Sequence, residues 1–259
     1  MAMESPDNEE PVRKTSSPPS SADTSMGHSG RTLAVPAMTP RPFLARMLEQ
    51  RCFFVFLALL ALLVTMPFVV DSLLGRALVG LLNLLILVTA VAAVGRSRLS
   101  FLLAVALGLP TLVFQLLALA SGLPGYLTLS WGFGAAFYAY AIAHLLYYVL
   151  RRDNMTADKL YGAVAVYIMI AIFWAYLFGV LQYFHPGAFA LYGTPSTMNL
   201  ADLIFYSFTV LTTAGFGDIT PVLIQSRFPT ILEAVTGVMF VAILIARLTG
   251  VYPVVGPKP

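Results

Sequence analysis

Between Thr212 and Asp218 the chain reads TTAGFGD, and the chemistry available there lies in the main chain. Gly215 and Gly217 can take the positive φ values that other residues avoid. Alternating them with Thr213, Ala214 and Phe216 lets successive carbonyls point the same way. A ladder of carbonyl oxygens replaces the water shell of a dehydrated cation. One chain supplies one such strand, so a ring of carbonyls requires several copies. The side chains elsewhere offer no rival chemistry. Glu233 and His144 are the ionisable groups inside the apolar segments, too sparse a set for a catalytic site. Cys52 is the sole cysteine and cannot bridge within the chain. We therefore expect no enzyme and no cofactor, with a cation as the permeant species.

A strand of this kind must be positioned on both sides. Before it stands LADLIFYSFTVLT, an apolar stretch from Leu200 to Thr212. A helix of that length reaches about 18–20 Å, against a bilayer core of about 30 Å. It cannot span, and it reads as a re-entrant helix capped by Asn199 with Asp202 three residues later. The chain must then return to the outer surface through 212–218. Non-helical backbone at membrane depth is tolerated only where it is buried in protein or lines water, and a carbonyl-lined pore meets that condition.

With these parts in place the chain resembles the pore domain of potassium channels, which carry Thr-Val-Gly-Tyr-Gly-Asp after a short pore helix. This chain has Thr213-Ala214-Gly215-Phe216-Gly217-Asp218. The aromatic pair Phe205-Tyr206 stands where the family has the aromatic cuff of its pore helix. ITP follows the strand, and Gly237 lies in the last span at the spacing of the family's inner-helix hinge. The ending LIARLTGVY is similar to that of small microbial channels. The resemblance covers about 160–252. It implies potassium coordination by the carbonyls of the Thr213 to Gly217 strand, with Thr212, Asp218, Phe205 and Tyr206 in support and a gating hinge at Gly237. It implies a homotetramer in contact with membrane lipid. Ala214 and Phe216 depart from the family's valine and tyrosine. Coordination through the backbone survives that change, but packing volume and a phenolic hydrogen bond are lost, so a weakly selective monovalent cation channel is an alternative.

The remainder of the chain is 59% apolar and only 10% charged, far below the roughly 25% of a soluble domain. Uncharged apolar runs at about 52–70, 77–94, 99–120, 127–150, 160–184 and 229–250 predict six spanning helices, hence an all-α integral membrane fold. Residues 1–42, rich in Ser, Thr, Pro and Gly with no apolar run after the start, are expected to be a disordered tail and not a signal peptide. Residues 43–155 form a four-helix membrane region and 156–253 the pore domain. With the tail in the cytoplasm and the spans alternating, thirteen of the fifteen Lys and Arg residues fall inside, leaving Arg76 and Arg227 outside. Both termini are thus expected in the cytoplasm of a cell-membrane protein. The net charge of +3 is a topology signal, not a sign of nucleic-acid binding. The stretch 41–51 suits a short helix on the inner leaflet, or simply a stop of positive charge before the first span.

Other readings stand beside these. A lone Gly-Phe-Gly is more often a loop or helix-packing motif; its place after a half-length helix and before Asp-Ile-Thr-Pro favours the pore. Asp218 is a turn residue or, by analogy, a hydrogen-bond partner behind the filter. Gly237 is a hinge or a packing glycine. Glu233, one turn before it, is expected to have a buried partner near the pore helix in preference to an ion. His144 reads as a satisfied polar residue, and Arg247, about 15 Å below Gly237, as a snorkelling one. The fourth span holds no Arg or Lys, so it lacks the arginine ladder of a voltage sensor, and Pro110 and Gln115 kink or bond the third. No nucleotide- or calcium-binding domain is expected after the last span. A transporter would call for a second broken helix in the first half, which the sequence does not offer, and a nonconducting scaffold subunit would leave an intact filter unexplained.

Overall fold

The computed structural model describes residues 51–69, 82–83, 85–86, 98–151 and 156–250. The expected tail at 1–42, the interfacial stretch before Arg51 and most of the span at 77–94 lie outside them.

Helix α1 runs Arg51–Val69, α2 Arg98–Ser121, α3 Pro124–Leu150 and α4 Ala157–Phe184. Each is a continuous apolar run rich in Leu, Ala and aromatic residues, and each begins or ends where the composition breaks. Gly122, at φ +68, turns the chain between α2 and α3, and Pro124 opens α3, where a missing N–H is harmless. Ser130 of α3 donates to the Thr111 carbonyl of α2 at 2.9 Å, which pins that hairpin. Thr156 caps α4. Small residues set the approach of α3 to α4. A Cβ added at Gly179 would meet the Trp131 ring at 2.5 Å, and one at Gly134 the Tyr176 ring at 3.2 Å.

After α4 come a short hairpin of β1 (Phe189–Leu191) and β2 (Thr194–Pro195), then α5 (Leu200–Leu211), β3 (Ile219–Pro221) and α6 (Ile224–Gly250). The strands form one antiparallel sheet in the order β2-β1-β3, with Ala190 opposite both Pro195 and Thr220. No β-sheet is expected from the hydropathy pattern of these segments. This small sheet adds to the helical fold a clip that holds the chain before α5 against the chain after the glycine-rich strand.

Among the described residues, four helices are long and apolar enough to cross a membrane, at Leu102–Ser121, Pro124–Leu150, Ala157–Phe184 and Ile224–Arg247. The apolar stretch of α1, Cys52–Phe68, is shorter, and so is α5. The core sits around α4, of whose span 61% is buried, whereas for α6 the share is 11%. Phe178 of α4, Phe189 of β1 and Tyr206 of α5 meet in a triangle with ring centroids 5.4–5.5 Å apart. That cluster seats α5 on the rest of the molecule.

Candidate functional site: the α5–β3 loop

Helix α5 is twelve residues long and starts at a complete capping box. The Asn199 side chain accepts from the Asp202 N–H at 2.9 Å, and the Asp202 carboxylate accepts from the Asn199 N–H at 3.1 Å. Just upstream, the Gln182 amide of α4 is buried and bonded twice to the Met198 backbone, at 2.8 and 3.0 Å. The start of α5 is therefore fixed both by its own cap and by α4.

Phe205 and Tyr206, adjacent in sequence, turn about 100° apart on the helix and go to different places. Tyr206 is buried, and its hydroxyl meets Thr230 Oγ1 of α6 at 2.7 Å. Phe205 is exposed and stacks on Phe216, with centroids 5.9 Å apart and planes 8° from parallel. The pair therefore does not act as one aromatic group within the chain. One ring braces α5 against α6, and the other braces the glycine-rich strand.

At Thr212 the helix ends, with the N–H and the hydroxyl of Thr212 both directed to the Phe208 carbonyl, at 3.0 and 2.7 Å. Then φ is positive at Thr213 (+58), Gly215 (+51) and Gly217 (+84), and at neither Ala214 nor Phe216. In an extended strand successive carbonyls point to opposite sides. Alternation between left- and right-handed backbone cancels that reversal and lets them share a side. The N–H of Thr213 donates to Val210 O at 2.9 Å and that of Gly215 to Thr209 O at 3.1 Å, so the strand's donors turn back onto α5. Residues 212–217 are all exposed. A Cβ added at Gly215 or Gly217 would meet nothing within 4 Å in the single chain. Backbone conformation, not crowding, requires glycine there. Asp218 accepts from the Ile219 N–H with its Oδ1 at 3.0 Å, and its carbonyl accepts from the Tyr192 N–H at 2.8 Å. In this chain it is a turn residue at the edge of the sheet.

Behind the strand, Ser207 of α5 donates to the Ala171 carbonyl of α4 at 2.6 Å, and its Oγ also bonds the Glu233 carboxyl of α6. Glu233 is completely buried. Gly237 lies one turn further along α6, where a Cβ would run into the carbonyl of Leu211, the last residue of α5. That carbonyl also accepts from the Tyr167 hydroxyl at 3.2 Å. Glycine at 237 thus has a packing reason independent of any bending. Near the far end of α6, Arg247 donates through both terminal nitrogens to the carbonyls of Leu150 and Arg151 at the end of α3. His144 bonds the Tyr140 carbonyl of its own helix at 3.1 Å.

Sequence reasoning missed Thr213 as a positive-φ position, because a β-branched residue is the poorest candidate for that conformation. It also missed Ser207, Thr230, Tyr167 and Gln182. Their signal was present in one form: each is a polar group within an apolar helix and so requires a partner.

Residues 163–252 match the ion channel family. The match runs from the first turns of α4 through the α5–β3 loop to the end of α6, and residues 1–162 lie outside it. No curated protein and no solved structure matches the chain. The matched domain is that of an ion channel and not of an enzyme, and the long apolar helices are those of a multi-pass membrane protein by length and composition.

Proposed function

We propose that this chain is the subunit of a potassium-selective channel that conducts passively through a symmetric homotetramer. The observation that carries the reading is the alternation of positive φ at 213, 215 and 217 on an exposed strand, held by a capped, half-length helix. Four such strands around an axis provide rings of carbonyl oxygens from Thr213, Ala214, Gly215 and Phe216, with Gly217 completing the strand, which suits a dehydrated potassium ion. Helix α6 supports assembly, since Phe228, Ile231, Val235, Val238 and Ile245 along it are exposed apolar side chains. Partner copies, lipid and the pore itself would cover them.

In this reading α5 is a re-entrant pore helix, α4 the outer helix and α6 the inner helix of a six-span subunit with both termini in the cytoplasm. Gly237 allows the inner helix to bend, with the Leu211 carbonyl as its fulcrum. The first four spans form a collar without voltage-sensing arginines. Flux through purified protein in liposomes, under potassium and then sodium gradients, tests the proposal. Potassium should pass with barium blocking it at the level of Thr213, and a protein that passes neither cation rules it out.

One observation favours weaker discrimination between the two cations. Phe216 is 72% exposed and has the stack on Phe205 as its side-chain anchor, with no phenolic hydroxyl to tie it further. A reversal potential near zero under potassium–sodium bi-ionic conditions would select that second reading.

A further inference from the structure

Ser207 lies past the middle of α5, and its Oγ rests against two oxygens at once, Ala171 O at 2.6 Å and Glu233 Oε1. A serine hydroxyl carries one hydrogen, and a carbonyl can only accept. That hydrogen therefore goes to Ala171, and the contact with Glu233 needs a donor from the Glu233 side. An ionised carboxylate has none. Glu233 is 0% exposed, so neither a lipid headgroup nor a neighbouring copy reaches it. Its Oε2 has no hydrogen-bond partner among the described residues.

Among the described residues, the ionisable groups that interact with it are the Tyr167 phenol on α4 and the Tyr206 phenol on α5, neither of which is a cation. Both hydroxyls are engaged elsewhere. Tyr167 donates to Leu211 O, and Tyr206 meets Thr230, whose own hydroxyl hydrogen goes to Ser226 O. A buried carboxylate with neither a cation nor a full set of donors is strongly disfavoured, whereas a neutral acid in the same place is not.

We propose that Glu233 is a neutral carboxylic acid donating its proton to Ser207, and that the Glu233–Ser207–Ala171 chain is a strut that positions the pore helix and its strand. Two hydrogen bonds running in one direction join α6, α5 and α4. Thr230 and Gly237 lie one turn to either side of Glu233 on the same face of α6. They make the adjoining contacts with α5, at Tyr206 and Leu211. Glu233 is a positioning residue and touches no permeating ion. Its positioning role rests on the reading of 213–217 as a filter, while the assignment of its proton does not.

The test uses the full chain reconstituted at neutral pH. The infrared difference spectrum between the parent and Glu233→Gln should contain the C=O band of a protonated carboxylic acid, and that band should move in Ser207→Ala. Loss of ionised carboxylate bands instead overturns the assignment. Glutamine keeps an N–H toward Ser207, so Glu233→Gln should keep the parent's potassium–sodium reversal potential. Glu233→Ala and Ser207→Ala should both shift it toward zero, and the parent's value in both overturns the strut. If Glu233→Ala does not assemble, Ser207→Ala decides that arm alone, because it leaves the buried acid and its volume in place. A parent protein that conducts no potassium counts against the proposed channel, and the infrared result still decides the state of Glu233.

Discussion

Thr213 holds φ at +58 although it is β-branched, a conformation that costs of order 1–2 kcal/mol for an L-residue. The neighbouring glycines avoid that strain at 215 and 217, so Gly215→Ala or Gly217→Ala should introduce it anew in every subunit. We expect loss of selective flux with expression and tetramer formation kept, measured by bi-ionic reversal potentials beside a mass determination. A Gly215→Ala channel as selective as the parent would refute the carbonyl ladder. Ala214→Val and Phe216→Tyr leave every backbone donor and acceptor in place and should hold or sharpen the preference for potassium in the same measurement. Gly237 differs in kind from Gly215 and Gly217. Its Cβ would strike the Leu211 carbonyl, and overpacking of that sort costs about 1–3 kcal/mol. Gly237→Ala should therefore lower the thermal stability of the purified protein, whereas a purely hinge-like role predicts changed gating at unchanged stability.

Helix α5 was legible almost to the residue, because its length, apolar run and Asn199–Asp202 box are local features of the sequence. Asn199→Ala should cost about 0.5–2 kcal/mol through loss of the cap, read as a lower unfolding midpoint in detergent. Helix α6 shows the opposite case. Its apolar run announced a span, but nothing local indicated that Thr230, Glu233 and Gly237 face α5 or that Arg247 reaches the end of α3. A cation at a helix C-terminus typically contributes 0.3–1 kcal/mol, so Arg247→Gln should change global stability little. It should instead release the end of α6 from the Leu150 and Arg151 carbonyls. Spin labels on α3 and α6 near that contact should report a broadened distance distribution, and an unchanged one would mean the contact does not restrain α6.

At the scale of the whole molecule, α6 leaves most of its apolar surface uncovered in the single chain. Four copies in a ring would cover part of it and bring four 213–217 strands to one axis. Native mass measurement should return a tetramer, and a protein that remains monomeric or dimeric counts decisively against the pore. Moving one charge across the membrane is worth only about 2.3 kcal/mol per 100 mV. Helix α3, the fourth of the expected spans, contains no Arg or Lys. Open probability should therefore vary little with membrane potential, and a conductance–voltage curve with several effective gating charges would overturn the collar assigned to the first four spans.

The amino-acid sequence by itself determined the apolar spans described here, the capped half-length helix and the two glycines that must leave the right-handed region. Each of these follows from length, composition or the φ preference of one residue, and none requires knowing what lies across the molecule. The tertiary structure alone decided which polar groups meet. Gln182 finds Met198 across 16 positions, Ser207 finds Glu233 across 26, and Arg247 finds Leu150 across 97. It also decided that Phe189 pairs with Pro221 to close the sheet around the loop, and that Phe205 and Tyr206 part company. Such pairings depend on how closely distant helices approach, and that distance is set by side chains from every element packed between them.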